Sequence, residues 1–207
     1  MEKVYIESSD KAYNRMFIDN GWELVRNPAD ADLIQFTGGS DVDPSLYGEE
    51  KHPTTSSNPR RDAIESHLYR SFLNEKPFAG ICRGGQFLNV MNGGRMYQDV
   101  DGHAINGNHM MHLKGGAIVP VTSSHHQMMR PTKEATIFGV AYISSYKATA
   151  TDTIKSEYDD EPDIEIVFYP STRSLCFQPH PEWVDSDHLC QKTYFSLLEN
   201  VLGLKGG

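Results

Sequence analysis

The sequence has few cysteines and few basic residues, and both shortages restrict what the protein can be. Its 207 residues include 3 cysteines, too few for a disulfide framework. The 19 Lys and Arg residues are outnumbered by 28 Asp and Glu residues, and the resulting net charge of −9 argues against a nucleic-acid groove. There is no transmembrane run, and residues 1–7 lack a signal-peptide pattern. We therefore expect a cytoplasmic protein with neither a nucleic-acid nor a membrane partner.

Length and periodicity predict one α/β domain over residues 1–207. Apolar residues make up 38% of the chain, enough for one substantial core. Strand-like and helix-like segments alternate, which implies a mostly parallel sheet with helices on both faces. The predicted strands lie at 4–6, 23–25, 33–37, 77–81, 117–121, 136–144 and 164–169, and the predicted helices at 10–20, 60–74 and 187–202, with a further helix starting at 86.

The most informative segment is Gly80-Ile81-Cys82-Arg83-Gly84. An apolar run precedes it and a helix start follows it, and the two glycines allow a turn sharp enough to lift Cys82 out of the sheet, as in a nucleophile elbow. Cys82 would then face the N-terminus of the next helix, whose unpaired N–H groups favour a thiolate. We predict that Cys82 is a nucleophile; the alternative is a buried structural cysteine.

A base for such a nucleophile is offered by His180. Pro179 and Pro181 fix the backbone on either side of it, so its ring would project from a strand end. Glu182 follows two residues later, and in an extended segment residues i and i+2 point the same way. The carboxylate would hold one ring nitrogen while the other faces Cys82, which gives a Cys-His-Glu triad.

Several segments together resemble the class I glutamine amidotransferase superfamily, and most of all its γ-glutamyl hydrolase branch. They are FTGGSDVDPSLYGEE at 36–50, RRDAIE at 60–65, KPFAGICRGGQFLNVMNGGRMYQD at 76–99, SSHHQ at 123–127 and FQPHPE at 177–182. They occur in the family's order over most of the chain. The resemblance implies a single flavodoxin-like three-layer domain in which Cys82 is the nucleophile, His180 the general base and acid, and Glu182 the orienting carboxylate.

The resemblance also implies an oxyanion hole formed by the backbone N–H groups of Gly39 and Arg83. Two fixed donors stabilise the charge that develops on an amide oxygen during acyl transfer. Glycines at 38 and 39 let the backbone approach without a side chain in the way. From the residues alone, an ordinary loop turn explains Gly38 and Gly39 equally well.

Four residues are expected by resemblance to bind the γ-glutamyl group. Gln86 matches the glutamine of the G-x-C-x-G-x-Q pattern, which contacts that group. His125, His126 and Gln127 belong to the segment that lines the pocket, in part through its backbone. For His126 taken alone, a polar residue at the end of a strand is as good an interpretation as a substrate-binding residue.

No cofactor or metal ion is predicted. His103, His109 and His112 lie close together in a Gly- and Asn-rich segment, 102–116, that we interpret as a loop or flap. They lack a fixed ligand spacing, so substrate-cleft or surface roles are favoured over zinc binding. Residues 40–43 lack the further spaced acids of a calcium loop.

Other chemically suggestive residues are predicted to have structural roles. Cys176 and Cys190 lie in an apolar run and a predicted helix, which favours packing. Arg60 and Arg61 are expected to form a solvated helix start, and the acidic stretch 152–163 a solvated loop.

Three functions follow from these observations and stay open. The first is a self-contained hydrolase of γ-glutamyl amide bonds, which the segments at 36–50 and 123–127 favour. The second is a glutaminase subunit that passes ammonia to a separate synthase. The third, a non-catalytic relative, is disfavoured because Cys82, His180 and Glu182 are all retained. The expected partner is a small-molecule γ-glutamyl substrate, and a synthase subunit and a homodimer both stay open.

Overall fold

The computed structural model describes residues 1–8, 10–155 and 161–207. The α-helices are α1 (Lys11–Asp19), α2 (Pro59–Phe72), α3 (Arg83–Met91) and α4 (Leu189–Leu197). The strands are β1 (Lys3–Ile6), β2 (Glu23–Leu24), β3 (Leu33–Phe36), β4 (Phe78–Ile81), β5 (Arg95–Tyr97), β6 (Asp99–Val100), β7 (Gly107–Leu113), β8 (Ile118–Ser123), β9 (Met128–Arg130), β10 (Thr136–Ala141), β11 (Tyr146–Ala148), β12 (Thr153–Lys155), β13 (Asp163–Tyr169) and β14 (Ser174–Phe177). Short 3-10 turns lie at Pro28–Asp30, Pro44–Tyr47, Pro170–Thr172 and Pro181–Trp183.

A nine-stranded sheet with the order β2-β1-β3-β4-β14-β13-β10-β7-β8 forms the centre of the structure. Strands β2 to β14 in that order are parallel to one another, and β13, β10, β7 and β8 extend the sheet with antiparallel pairings. Two smaller sheets have the orders β12-β11-β6 and β5-β9. The predicted α/β fold with a mostly parallel central sheet is confirmed.

Helix ends follow the capping chemistry visible in the sequence. The side chain of Asp10 accepts a hydrogen bond from the Ala12 amide at 2.8 Å, which caps α1. Asn58 caps α2 in the same way, ahead of a proline at the first helical position. The last helix differs from its prediction, because α4 ends at Leu197 and the chain continues to Leu202 as a π-helical turn. Within the described ranges, no helix has the length and apolarity needed to cross a membrane.

Both faces of the central parallel strands β3, β4 and β14 are buried. All four residues of β3 and all four of β4 are inaccessible to solvent. On one face Phe36 packs against Phe87 of α3, with ring centroids 5.1 Å apart, and on the other Phe177 packs against Tyr194 of α4 at 5.2 Å. Burial of each such side chain contributes about 2 kcal/mol. The carboxyl ends of β4 and β14 therefore rest on a tightly packed scaffold.

Two loop predictions are wrong. Within 102–116, residues Gly107–Leu113 form β7, which pairs with β8. Alternate residues of β7 are buried, but one inward position is His109, so the segment does not show the apolar alternation of a strand. In the acidic stretch 152–163, Asp163 is buried and begins β13. Residues 156–160 of that stretch lie outside the described residues.

We expect Gly80→Ala to lower the free energy of unfolding by about 3 kcal/mol. A Cβ atom at this position would overlap the Gly84 carbonyl and lie 2.5 Å from the Gly85 amide nitrogen, so the strand and the following helix would be forced apart. Chemical denaturation followed by circular dichroism measures the change. Gly107→Ala is the matched control, since its Cβ would meet its nearest neighbour at 3.8 Å. Equal losses in the two variants would contradict the close approach.

Candidate active site

Cys82 lies at the sharp turn between β4 and α3. Its φ of 51° and ψ of −116° are strained for a residue with a side chain, at a cost of about 1–3 kcal/mol. Two backbone hydrogen bonds hold the turn: the Cys82 amide donates to the Phe177 carbonyl at 2.8 Å, and the Gln86 amide donates to the Cys82 carbonyl at 3.0 Å. The side chain is thereby placed at the N-terminus of α3, as an elbow requires.

His180 follows the end of β14, and the structure brings it together with Glu182 and Cys82. Its Nδ1 atom lies 2.6 Å from Glu182 Oε1, and its amide donates to Thr122 Oγ1 at 2.6 Å. The predicted contact with Glu182 is made by a 3-10 turn at Pro181–Trp183 rather than by an extended segment. Cys82 lies nearby, since its Cβ atom and His180 Cε1 both face Gly38, and its charge raises the pKa of the imidazole.

The electrostatics of the site favour a protonated imidazole. Burial lowers the pKa of His180, but the charge and hydrogen bond of Cys82, together with Glu182, raise it to about 10. The neighbouring Tyr13 hydroxyl has a pKa well above its ordinary value, because it is buried and faces Glu182. Tyr13 therefore stays neutral and accepts a hydrogen bond from the Gly38 amide at 2.9 Å.

Trp183 covers the His180 ring, a contact that the sequence did not predict. The two rings are stacked with centroids 3.7 Å apart and planes at 1° to each other. The indole is 57% exposed, which is unusual for so large an apolar side chain. One face of the imidazole is therefore shielded by an aromatic ring that itself contacts solvent.

The glycine loop after β3 lies against both the cysteine and the histidine. A Cβ atom built on Gly38 would be 3.0 Å from His180 Cε1 and 3.8 Å from Cys82 Cβ, so this position has little room for a side chain. Gly39 has a φ of 137°, which few other residues adopt. On the other side of the turn, the Arg83 amide belongs to the first turn of α3, where N–H groups have no partner within the helix.

Arg61 holds the glycine loop in place, so the expectation of a solvated arginine is wrong for this residue. Its guanidinium donates to the Gly38 carbonyl at 2.8 Å and to the Thr37 carbonyl at 2.9 Å. Its Nε atom pairs with Glu65 at 2.8 Å. The signal that could have revealed this contact is the i, i+4 spacing of Arg61 and Glu65 on α2.

The side chain of Arg83 is buried and paired with two carboxylates of α2, Asp62 and Glu65. Burial and the nearby Arg61 lower its pKa to about 10, while Asp62 opposes the change, so the guanidinium stays charged at neutral pH. Asp62 also accepts the Asp43 amide at 3.0 Å. This buried ionic network fixes α2, α3 and the loop after β3 relative to one another.

Three of the four predicted substrate-binding side chains point into the protein. The side-chain amide of Gln86 donates to the Gln127 backbone carbonyl at 3.3 Å and to the side-chain oxygen of Gln178 at 3.1 Å. His125 Nδ1 contacts the same carbonyl at 3.0 Å. The side-chain amide of Gln127 donates to Thr55 Oγ1 at 3.1 Å. His126 is half-buried and pairs with Asp41 at 3.3 Å, a contact that raises its pKa. It alone of the four has a substantially exposed side chain.

The three histidines of segment 102–116 separate into two groups. His112 is exposed on β7, in agreement with a surface role. His103 and His109 are buried, so the expectation of a cleft or surface position is wrong for both. Their burial could not be read from the sequence because the acidic residues they face, Asp163 and Glu165, are about 60 residues away along the chain.

Comparison with known proteins identifies relatives of the same kind. The family model described as Peptidase C26 matches residues 25–159, about two thirds of the chain. The glutamine amidotransferase candidate Rv2859c of Mycobacterium tuberculosis is 49% identical over 161 residues, 72% of this chain and 50% of the relative. The glutamine amidotransferase-like YvdE homolog of Lactococcus lactis is 40% identical over 96 residues, 45% of this chain and 50% of the relative. The chain thus spans about half the length of the curated relatives it matches.

Solved structures share the fold. A glutamine amidotransferase from Thermotoga maritima superposes with a TM-score of 0.60 at 17% identity, covering 97% of this chain and 83% of that one. A candidate GMP synthase subunit from Thermoplasma acidophilum superposes with a TM-score of 0.63 at 15% identity, covering 98% of this chain and 94% of that one. Because the sequence identities are this low, the structural similarity establishes the fold alone. Because the family model covers most of the chain and the curated relatives agree with it, this chain belongs to the Peptidase C26 family, within the class I glutamine amidotransferase-like superfamily.

Proposed function

We propose that this protein hydrolyses γ-glutamyl amide bonds, in glutamine or in γ-glutamyl amines and peptides, through a γ-glutamyl thioester on Cys82. The observation that carries the proposal is the arrangement of the site: a cysteine at a strained elbow, a histidine beside it, and a carboxylate 2.6 Å from the far ring nitrogen. Family membership supports the same chemistry, since the family is described as Peptidase C26 and the relatives as a glutamine amidotransferase-like protein and a glutamine amidotransferase candidate.

In the first half-reaction the Cys82 thiolate attacks the γ-carbonyl carbon, and the carbonyl electron pair moves onto oxygen. We propose the backbone N–H groups of Gly39 and Arg83 as the donors that stabilise this oxyanion. When the carbon–nitrogen bond breaks, protonated His180 gives its proton to the leaving amine. The product is a γ-glutamyl thioester and a free amine or ammonia.

The second half-reaction reverses the role of the histidine. Neutral His180 takes a proton from a water molecule, which attacks the thioester carbonyl, and collapse of the intermediate releases glutamate and restores the Cys82 thiolate. Glu182 holds the ring through Nδ1 in both steps and stabilises its positive charge. Glu182 does not need to accept the proton itself.

We propose that the γ-glutamyl group is bound mainly by backbone atoms of residues 125–127. The buried side chains of Gln86, His125 and Gln127 hold this segment in place, because each has partners inside the protein. His126 would then be the side chain of the segment that meets the leaving group. The pairing of His126 with Asp41 at 3.3 Å makes this part of the site polar.

The second candidate function is a glutaminase subunit that delivers ammonia to a separate synthase. The observation that favours it is the fold shared with proteins of such assemblies: the candidate GMP synthase subunit, and a chain of the Thermotoga maritima PurLQS structure, which this protein matches over 99% of that chain's length with a TM-score of 0.55. Both candidate functions use the same thioester chemistry and differ in the amine that leaves.

Cys82→Ala and Cys82→Ser are expected to abolish glutamate release without loss of the fold, because a thiolate is a far better nucleophile than a serine hydroxyl. Glutamate assays and thermal melts measure both properties. Cys190→Ala is the control, since that thiol is buried, which raises its pKa to about 12. Mass spectrometry with a slow substrate should find the acyl adduct on Cys82. An adduct on Cys176 or Cys190 would overturn the assignment.

His180→Ala is expected to lower kcat/KM by about 10²–10⁴-fold, since it removes both the acid and the base. Glu182→Gln should cost less, because an amide can still hold the ring but cannot stabilise its charge. Steady-state kinetics compare the two variants, with His67→Ala on the exposed face of α2 as the control. If Glu182→Gln proved the more damaging change, the carboxylate would have a role beyond orienting His180.

The substrate class is tested with the purified protein alone. A self-contained hydrolase must be competent without a partner, so we expect at least one γ-glutamyl amine to be cleaved faster than glutamine. A panel of γ-glutamyl amines and glutamine, assayed for glutamate release under identical conditions, gives the ratio of kcat/KM values. Turnover of glutamine alone, slow until a second protein from the same source is added, would support the synthase-associated glutaminase instead.

A further inference from the structure

Beside the proposed substrate segment, and sharing His125 with it, lies a buried group of four residues that take no chemical step in the proposed reaction. We name His103, His109, His125 and Glu165 the histidine–glutamate cluster; all four are buried. Glu165 Oε1 is 3.2 Å from His103 Nδ1, 3.4 Å from His109 Nε2 and 3.5 Å from His125 Nε2. One carboxylate oxygen is thus surrounded by three imidazole nitrogens that come from separate parts of the chain.

Hydrogen bonding does not account for the cluster. The three nitrogen–oxygen distances are short enough for hydrogen bonds, yet their angles are not, so the ring nitrogens are not aimed at the carboxylate oxygen. Among the described residues, these three nitrogens and both Glu165 oxygens lack a hydrogen-bonding partner. Each buried polar group left unpaired costs about 1–3 kcal/mol. A partner of another kind would remove that cost.

The distances from Glu165 Oε1 to the neighbouring imidazole nitrogens are those found between ligands of one metal ion. With metal–nitrogen and metal–oxygen bonds of about 2.1 Å, neighbouring ligands of a tetrahedron are about 3.4 Å apart. The distances from Glu165 Oε1 to its three neighbours, 3.2, 3.4 and 3.5 Å, match this value. His103, His109 and Glu165 also present ligand atoms that all lie within 4.8 Å of one another.

His103 has a carboxylate on its other side. Its second ring nitrogen lies 3.1 Å from Asp163 Oδ2, and Lys147 lies 3.0 Å from the other oxygen of that carboxylate. This nitrogen also lacks an aligned hydrogen bond, so the contact is one of distance only. In metal sites a carboxylate at this position orients the ring of the ligand.

We propose that His103, His109 and Glu165 bind one divalent transition-metal ion, of which zinc fits the ligand set best. All three ligands are buried and none takes part in the proposed reaction, so the ion is structural. It joins β7 to β13, and Glu165 in turn lies 3.5 Å from His125 of the substrate segment 125–127. This site goes beyond the proposed function and does not depend on it.

The test uses the full chain purified without a polyhistidine tag, stripped with a chelator and titrated with Zn²⁺ alone. We expect one zinc per chain by mass spectrometry of the metal content, and a melting temperature that rises with Zn²⁺ and falls again with chelator. Glu165→Gln and His109→Gln should weaken binding at least 10-fold. His112→Gln on the exposed side of β7 should bind like the wild type, as should Cys82→Ala.

The proposal is overturned if the wild-type protein binds no zinc, or if its melting temperature does not change when zinc is added. Loss of binding in Cys82→Ala with retention in His109→Gln would place the ion at the cysteine instead and would also overturn it. Should the cluster variants fail to fold, Co²⁺ substitution of the wild type decides. Intense visible absorption of tetrahedral Co²⁺ without a thiolate charge-transfer band supports the site, whereas weak octahedral absorption or a thiolate band contradicts it.

Discussion

The parallel pairing of β4 with β14 determines where the reactive groups meet. The two strands run side by side with Ile81 opposite Phe177, so the next residues of both strands emerge at the same edge of the sheet. The hydrogen bond from the Cys82 amide to the Phe177 carbonyl is the last link of this ladder. A slip of one register step would turn Cys82 and the segment leading to His180 to different faces.

Near this edge of the sheet the structure contains a strained backbone conformation and buried charges, both of which are unfavourable locally and are held by the surrounding structure. Cys82 is held at a positive φ, and two charged side chains of α2, Asp62 and Glu65, are buried against Arg83. A buried pair of this kind contributes little net stability, but removal of one partner costs about 3–5 kcal/mol because the other charge is left uncompensated. The network therefore acts as a positional constraint: it fixes the loop carrying Gly38 through Arg61.

The parts of the site that sequence alone could predict are those written in short motifs. The elbow at Cys82 and the pairing of His180 with Glu182 depend on residues a few positions apart, and the main-sheet strands around them are apolar. The rest depends on contacts between distant residues. Strand β7 has His109 at an inward position. A buried histidine there can be explained only by its contact with Glu165 of β13, which is distant along the chain. The position of Arg61 against the glycine loop could not be predicted, because there its partners are the backbone carbonyls of Thr37 and Gly38, which lie outside α2.

The stacking of Trp183 on His180 has a consequence for the route of proton movement. With an indole 3.7 Å from one face and Glu182 bound to Nδ1, the imidazole cannot turn over about its Cβ–Cγ bond without breaking both contacts. In the proposed reaction, every proton that the ring exchanges with a thiol, an amine or water would therefore pass through Nε2. The proposed cycle would need no rotation of the ring between its two half-reactions.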